Sequence, residues 1–209
     1  MASPRSPRLH TPFCDRLEIE VPIISAGMGP ISGPDLTAAV SNARGLGVLG
    51  CTSMSADEVR AVIRRTRELT DRPFGVDLIL PARLDQGGVS VGYVLRQVPA
   101  EHREFAARMA TELGVEPRDG AEVVIAQGAE GGGHTGHVGT MALLPQVLDA
   151  VDVPVVAAGG IGDGRGVAAA LVMGCQAVWI GTRFLATPEA GWRRGKGPGS
   201  WLQPTSRRS

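Results

Sequence analysis

The chain has 209 residues, 43% of them hydrophobic, and a mean hydropathy of +0.06, the balance of one globular domain. Its 21 basic and 21 acidic side chains cancel, which removes the electrostatic case for a nucleic-acid partner, and no apolar run approaches the roughly 18 residues of a membrane span. Cys14, Cys51 and Cys175 have neither disulfide nor zinc spacing, and MASPRSPRLHTPF has no apolar leader region, so the expected location is cytoplasmic.

In chain order, residues 1–12 are rich in Pro, Ser and Arg and are expected to be frayed. Val21 to Ala26 predict a first strand, with Gly27, Met28 and Gly29 as its turn. Ser32-Gly33-Pro34-Asp35 reads as a helix start with a cap and a proline in the first turn. Leu36, Ala39 and Val40 give that helix its apolar face, and Gly45 stops it before a second strand at Leu46–Leu49. This is one βαβ unit, with a right-handed crossover expected. Ser55-Ala-Asp-Glu58 is a capping box opening a helix through Val59, Val62 and Ile63. A third strand spans 73–80. Residues 82–98 read as loop, with a short extended piece at 89–95. Residues 99–114 predict an amphipathic helix, stopped by Gly114.

The apolar, β-branched run Val123 to Ala126 predicts a strand buried on both faces. Helices at 141–150 and 166–173 alternate with strands at 153–157 and 177–180. Six strand–helix steps at a period of about 25–30 residues are the signature of an α/β fold, barrel or doubly wound sheet. Thr187-Pro188-Glu189 begins like a helix, but residues 191–209 carry no apolar period and are expected to be disordered.

Three loops at the ends of these strands carry the chemistry. The strand at 123–126 runs into Gln127 and a loop holding Gly128, Gly131, Gly132, Gly133 and Gly136, with His134 and His137 among them. Glycine at this density lets backbone approach a ligand without hindrance from Cβ. Ala157-Ala158-Gly159-Gly160-Ile161-Gly162-Asp163-Gly164 follows the next strand and opens a helix, and Gly181-Thr182-Arg183 follows the last. Backbone N–H groups at a helix N-terminus make an anion site, and phosphate sites after the last two strands recur in (β/α)₈ barrels. The alternative is that these are only tight turns.

His134 is either a proton-abstracting base or a solvated loop residue, and no carboxylate or thiol joins the two histidines at metal-ligand spacing. His137 reads as structural. Gln127 can donate to and accept from a flavin or nucleobase edge, or bond its own loop. Met28 either packs in the core or lies against a planar ring. Cys51 lacks a visible partner for nucleophilic chemistry. Asp77 reads as an orienting group or as a cap.

The segments PIISAGMG, GLGVLG, PFGVDLILP, VVIAQGAEGGGHTGHVGT, VPVVAAGGIGDGRG and AVWIGTRFLAT, in that order over most of residues 20–187, resemble the nitronate monooxygenase family, formerly called 2-nitropropane dioxygenases. The resemblance implies a TIM barrel with FMN that oxidises alkyl nitronates with O₂ to carbonyl compounds and nitrite. It implies that His134 is the base or proton-handling residue beside the flavin. Gln127 and Gly128 would lie by the isoalloxazine and ribityl chain. Ala158 joins the cofactor-binding set, in which Gly159, Gly160, Gly181 and Thr182 hold the phosphate. Met28 would pack on the ring, and Asp77 stands where the family often has Asn.

Two departures accompany the resemblance. Members carry two further βα units, including a flavin-contacting lysine, between the helix ending near Gly114 and the Gln-Gly strand. Here residues 117–120 run straight into AEVVIAQG, and the only lysine of the chain is Lys196. Members also continue well past GTRF. The expected fold is therefore an incomplete TIM-barrel-like (β/α) domain over residues 13–190, with six strand–helix units of eight. Two open sheet edges follow, through which the chain is expected to be able to self-associate. Three functions fit: a nitronate monooxygenase acting on a nitronate and O₂, an FMN-dependent enoyl reductase needing a nicotinamide donor, or a shortened remnant with weak or no FMN binding.

Overall fold

The computed structural model describes residues 9–52, 54–78, 122–133 and 135–190. The expected helix at 99–114, the extended piece at 89–95, the end of the third strand beyond residue 78 and the tail at 191–209 lie outside the described residues.

Six strands are present among the described residues: β1 (Ile23–Ser25), β2 (Gly47–Gly50), β3 (Phe74–Asp77), β4 (Val124–Gln127), β5 (Val155–Ala158) and β6 (Ala177–Ile180). Each falls on an apolar run that the sequence marks as a strand. The helices are α1 (Pro12–Leu17), α2 (Pro34–Asn42), α3 (Ala56–Leu69), α4 (Thr140–Ala150) and α5 (Gly164–Val172). All pairings are parallel: β4 with β5, β5 with β6, β6 with β1, and β2 with β3. A bridge between Ile24 and Leu46 joins the two groups. It is reinforced by Ser25 N donating to Leu46 O at 2.9 Å and by Val48 N donating to Ser25 Oγ at 3.0 Å.

The resulting spatial order is β3-β2-β1-β6-β5-β4. Among the described residues that is the order of a ring interrupted between β3 and β4, and it differs from the 3-2-1-4-5-6 order of a doubly wound sheet. The fold is a parallel α/β sheet of the TIM-barrel kind, present in part. Among the described residues β3 and β4 each have one strand neighbour.

Alternating side chains feed two cores. Val155, Ala157 and Val178 face outward onto Leu144 of α4 and Val167 and Ala170 of α5. Ile24, Val48, Val156 and Ala177 face inward and meet Phe13 of α1. Leu49 packs outward on Val59 of α3. The frayed stretch expected at 1–12 lies mostly outside the described residues. Of those described, Thr11 Oγ1 donates to Gln176 O at 2.7 Å, and Pro12 opens α1, a helix the sequence reading does not contain.

The capping box of α3 forms as its spacing requires. Ser55 N donates to the Glu58 carboxylate at 2.7 Å, and Glu58 N donates to Ser55 Oγ at 3.4 Å. The cap expected at the start of α2 does not form. Gly33 occupies the N-cap position, and Ser32 serves the preceding turn instead, donating to Ala26 O at 2.7 Å and accepting from Met28 N at 3.0 Å.

Candidate functional site

The strands end in one plane. Register places Gln127 beside Ala158 and Ala158 beside Trp179, all on the inward face at the C-terminal ends of β4, β5 and β6. Beyond them the three sequence-marked loops enclose a cleft of about 530 Å³. Its lining combines Gln127, Glu130, Gly131 and Gly132 from the first loop, Ala158 to Gly162 from the second, and Trp179 to Arg183 from the third. Gln127, Ala158, Gly159, Gly160, Gly181 and Thr182, far apart in sequence, thus share one cleft.

The backbone of the second loop fixes its shape. Gly159 and Gly160 have φ of +98° and +70°, the left-handed region that only glycine enters without strain. At Gly159 a β-carbon would also lie 2.9 Å from Thr140 Oγ1 and 3.1 Å from Gly131 N, so backbone packs on backbone there. Gly162, by contrast, lines the cleft with nothing within 4 Å of its β-carbon position. Immediately after it, Asp163 caps α5, accepting from Arg165 N at 2.9 Å. The Arg165 guanidinium holds that carboxyl down at about 2, so it is a fixed anion at ordinary pH. The N-terminal end of α5 therefore borders the cleft with its glycine-rich approach, and Arg183 lines the cleft at its other loop. Backbone amides, a helix start and a guanidinium fit a phosphate group. Trp179 and Gln127 on the floor fit a planar ring with polar edges.

Three expected residues stand beside the cleft rather than in its lining. Gly128 packs beneath α4, where a β-carbon would lie 2.2 Å from Thr140 Oγ1. Met28 approaches Gly181, its sulfur 3.3 Å from the β-carbon position there. Asp77 ends β3 on the inward face, opposite Gly50, against Gly27. Burial raises the Asp77 carboxyl above its usual range. Burial, then the neighbouring Asp77 charge, pushes the Cys51 thiol up to about 11, so Cys51 is a buried thiol rather than a thiolate nucleophile.

His134 lies outside the described residues. His137 is exposed on the same loop. Gln127 Nε2 donates to Gly132 O at 3.2 Å, realising the loop-bonding alternative. Among the described residues no group of three or more His, Cys, Asp or Glu side chains is placed to hold a metal, and no helix is long and apolar enough to cross a membrane.

Sequence reasoning assigned no role to Glu130, Trp179 or Arg183. The last two sit in the run WIGTR, whose glycine and threonine drew the reading, and their proximity to that turn was the available signal. Glu130 lies in the segment VVIAQGAEGGGHTGHVGT that carries the resemblance, but its bonding role had no signal, because its partner lies ten residues on. Its carboxylate accepts from Thr140 N and Thr140 Oγ1, both at 2.8 Å, and these bonds hold it below the usual carboxylate range.

A family model described as nitronate monooxygenase matches residues 10–116 and 100–194. The chain belongs to this family. It is 42% identical over 200 residues to the (3aS,4S,5R,7aS)-5-hydroxy-7a-methyl-1-oxo-octahydro-1H-indene-4-carboxyl-CoA dehydrogenase of Rhodococcus jostii, a match covering 87% of this chain and 57% of the relative. It is 35% identical to the nitronate monooxygenase of Pseudomonas aeruginosa, over 85% of this chain and 70% of that one. Among solved structures, FabK from Thermotoga maritima superposes with a TM-score of 0.66 at 39% identity, over 87% of this chain and 64% of that one. A nitroalkane oxidase from Streptomyces ansochromogenes gives 0.64 at 35% identity, over 86% and 69%.

The chain spans less than three fifths of the length of the first of these relatives. The Pseudomonas match extends over 244 positions while using 85% of a 209-residue chain, so that relative has residues inside the matched span that this chain lacks.

Proposed function

We propose that this chain carries the phosphate-binding half of an FMN-dependent oxidoreductase that converts an alkyl nitronate and O₂ to a carbonyl compound and nitrite. One observation carries the reading: Gln127, Ala158, Gly159, Gly160, Gly181 and Thr182, which the family resemblance assigns to the cofactor, line a single cleft. In this reading the amides of Gly159, Gly160 and Gly181 and the Thr182 hydroxyl receive the phosphate, with Arg183 offsetting its charge. Trp179 and Gln127 would hold the ring, Met28 packs behind Gly181, and Asp77 would be an orienting group beside the cleft. His134 would be the proton-handling residue, removing the α-proton where the substrate enters as the neutral nitroalkane rather than as its nitronate. The bound flavin supplies the electron-accepting group.

The first test is an absorption spectrum of the purified chain after adding FMN and desalting. Retained flavin bands followed by nitrite release from a nitronate without any nicotinamide support the proposal. A chain that takes up no FMN defeats it and leaves the shortened remnant as the reading.

A second substrate class draws on a specific observation. The relative at 42% identity is a CoA-ester dehydrogenase, and FabK stands at 39%, both above the 35% of the nitronate monooxygenase. An acyl-thioester oxidoreductase would use the same flavin cleft with a nicotinamide partner. Bleaching of bound flavin by NADH or NADPH under anaerobic conditions selects it over the first reading. A cytoplasmic location, and self-association through the edges of β3 and β4, belong to the same proposal.

A further inference from the structure

The cleft is built from loops belonging to different strands, and one side chain ties two of them to a helix. Glu130, in the loop after β4 and itself part of the cleft lining, engages the first residue of α4 with its carboxylate. There Oε2 accepts from Thr140 N and Thr140 Oγ1, both at 2.8 Å. Helix α4 begins with Gly139 at its N-cap and has no side-chain cap of its own, so Glu130 caps it from ten residues upstream. Thr140 is 7% exposed, and its Oγ1 also stands 3.1 Å from Gly159 O and 3.4 Å from Ala158 O, in the loop after β5. The same hydroxyl lies against the Cα of Gly128 and of Gly159, and the Glu130 Cβ lies 3.3 Å from the β-carbon position of Gly160.

Charge makes this orientation consequential. A carboxylate turned into a phosphate cleft would oppose the anion. Held against the helix start, it satisfies the Thr140 amide, which no side-chain cap of α4 serves, and its charge is engaged there. We propose that Glu130 is a positioning residue: through Thr140 it clasps the loops after β4 and β5 together, setting the spacing at which they receive the phosphate of FMN. The proposal rests on the phosphate reading of the cleft.

The test compares FMN with riboflavin, which lacks the phosphate, by flavin-fluorescence titration of the full chain. Glu130→Ala is expected to weaken FMN about tenfold and riboflavin less than about twofold. Glu130→Gln keeps an acceptor for Thr140 and is expected to recover most of the loss, whereas Glu130→Asp, one methylene short, is not. Should Glu130→Ala fail to fold, Thr140→Val removes only the hydroxyl and is expected to cost FMN about threefold, again with riboflavin spared. Equal changes for both flavins, or none for FMN, overturn the clasp and leave the cofactor reading standing. A wild-type chain that binds neither flavin overturns both.

Discussion

The Asp77 carboxyl closes against the Cα of Gly27: a β-carbon at Gly27 would lie 2.4 Å from Asp77 Oδ2 and 2.5 Å from Asp77 Cβ. No rotation of the carboxyl relieves a contact that includes Cβ. Gly27→Ala is therefore expected to destabilise the fold by about 1–3 kcal/mol, the usual cost of overpacking. Asp77→Gly should restore most of that loss in the double variant, and urea unfolding of the two single variants and the double variant measures the coupling. Additive effects would mean that the two residues do not meet.

The same carboxyl gives a pH dependence. Burial raises the folded-state pKa of Asp77 above its unfolded value. The folded state then holds the proton more firmly, so stability falls as pH rises from the unfolded pKa through the folded one and stays lower above it. Asp77→Asn removes that loss. The variant is expected to be more stable than wild type at pH 7, with the difference shrinking as pH falls toward 4. Denaturation midpoints at several pH values decide it, and a gap that widens in acid would refute it.

Two glycines of the loop after β5 should respond differently. Gly159→Ala places a side chain at φ +98° and 2.9 Å from Thr140 Oγ1, and is expected to cost about 1–3 kcal/mol of stability together with FMN retention. Gly162→Ala meets no protein atom within 4 Å and borders the cleft. It is expected to leave the melting temperature within about 2 °C of wild type while weakening FMN. A calorimetric scan and a desalting assay on each variant test the contrast.

Phe13 is 5% exposed and packs into the inward core with Ile24, Val48, Val156 and Ala177. Phe13→Ala is expected to destabilise by about 3–5 kcal/mol, because the floor of a barrel interior has little freedom to collapse onto the cavity. A loss below 1 kcal/mol in urea unfolding would show that α1 is not part of the core.

Strands β2 and β5 were readable from sequence because burial on both faces leaves only apolar residues to choose from, as in VPVVAA, whereas β4, expected to be buried on both faces, leaves Ile125 45% exposed. The loops were readable because close backbone packing at Gly159 or Gly128 admits one residue type. Helix α1 was not, since six residues give no period and its stability comes from Phe13 meeting residues as far as Ala177 in the chain. Strand order was equally invisible: nothing in the run of Ile23 to Ser25 says that its neighbour is Ala177 to Ile180 rather than β4. Ser32 was misassigned as a cap because a hydroxyl ahead of a helix serves the turn before it equally well. Glu130 was overlooked because a helix capped from ten residues away leaves no local signature.

The pairing of Ile23 with Val178 has a temporal cost. On a ribosome adding about 5–20 residues per second, β1 is made on the order of ten seconds before its β6 partner exists. During that interval Ile24 and Phe13 have no finished interior to enter, and the β1 edge that β6 will cover stands open to other nascent chains. A chaperone that holds this segment until β6 emerges is expected to raise the yield of folded protein more than added stability of the finished domain would.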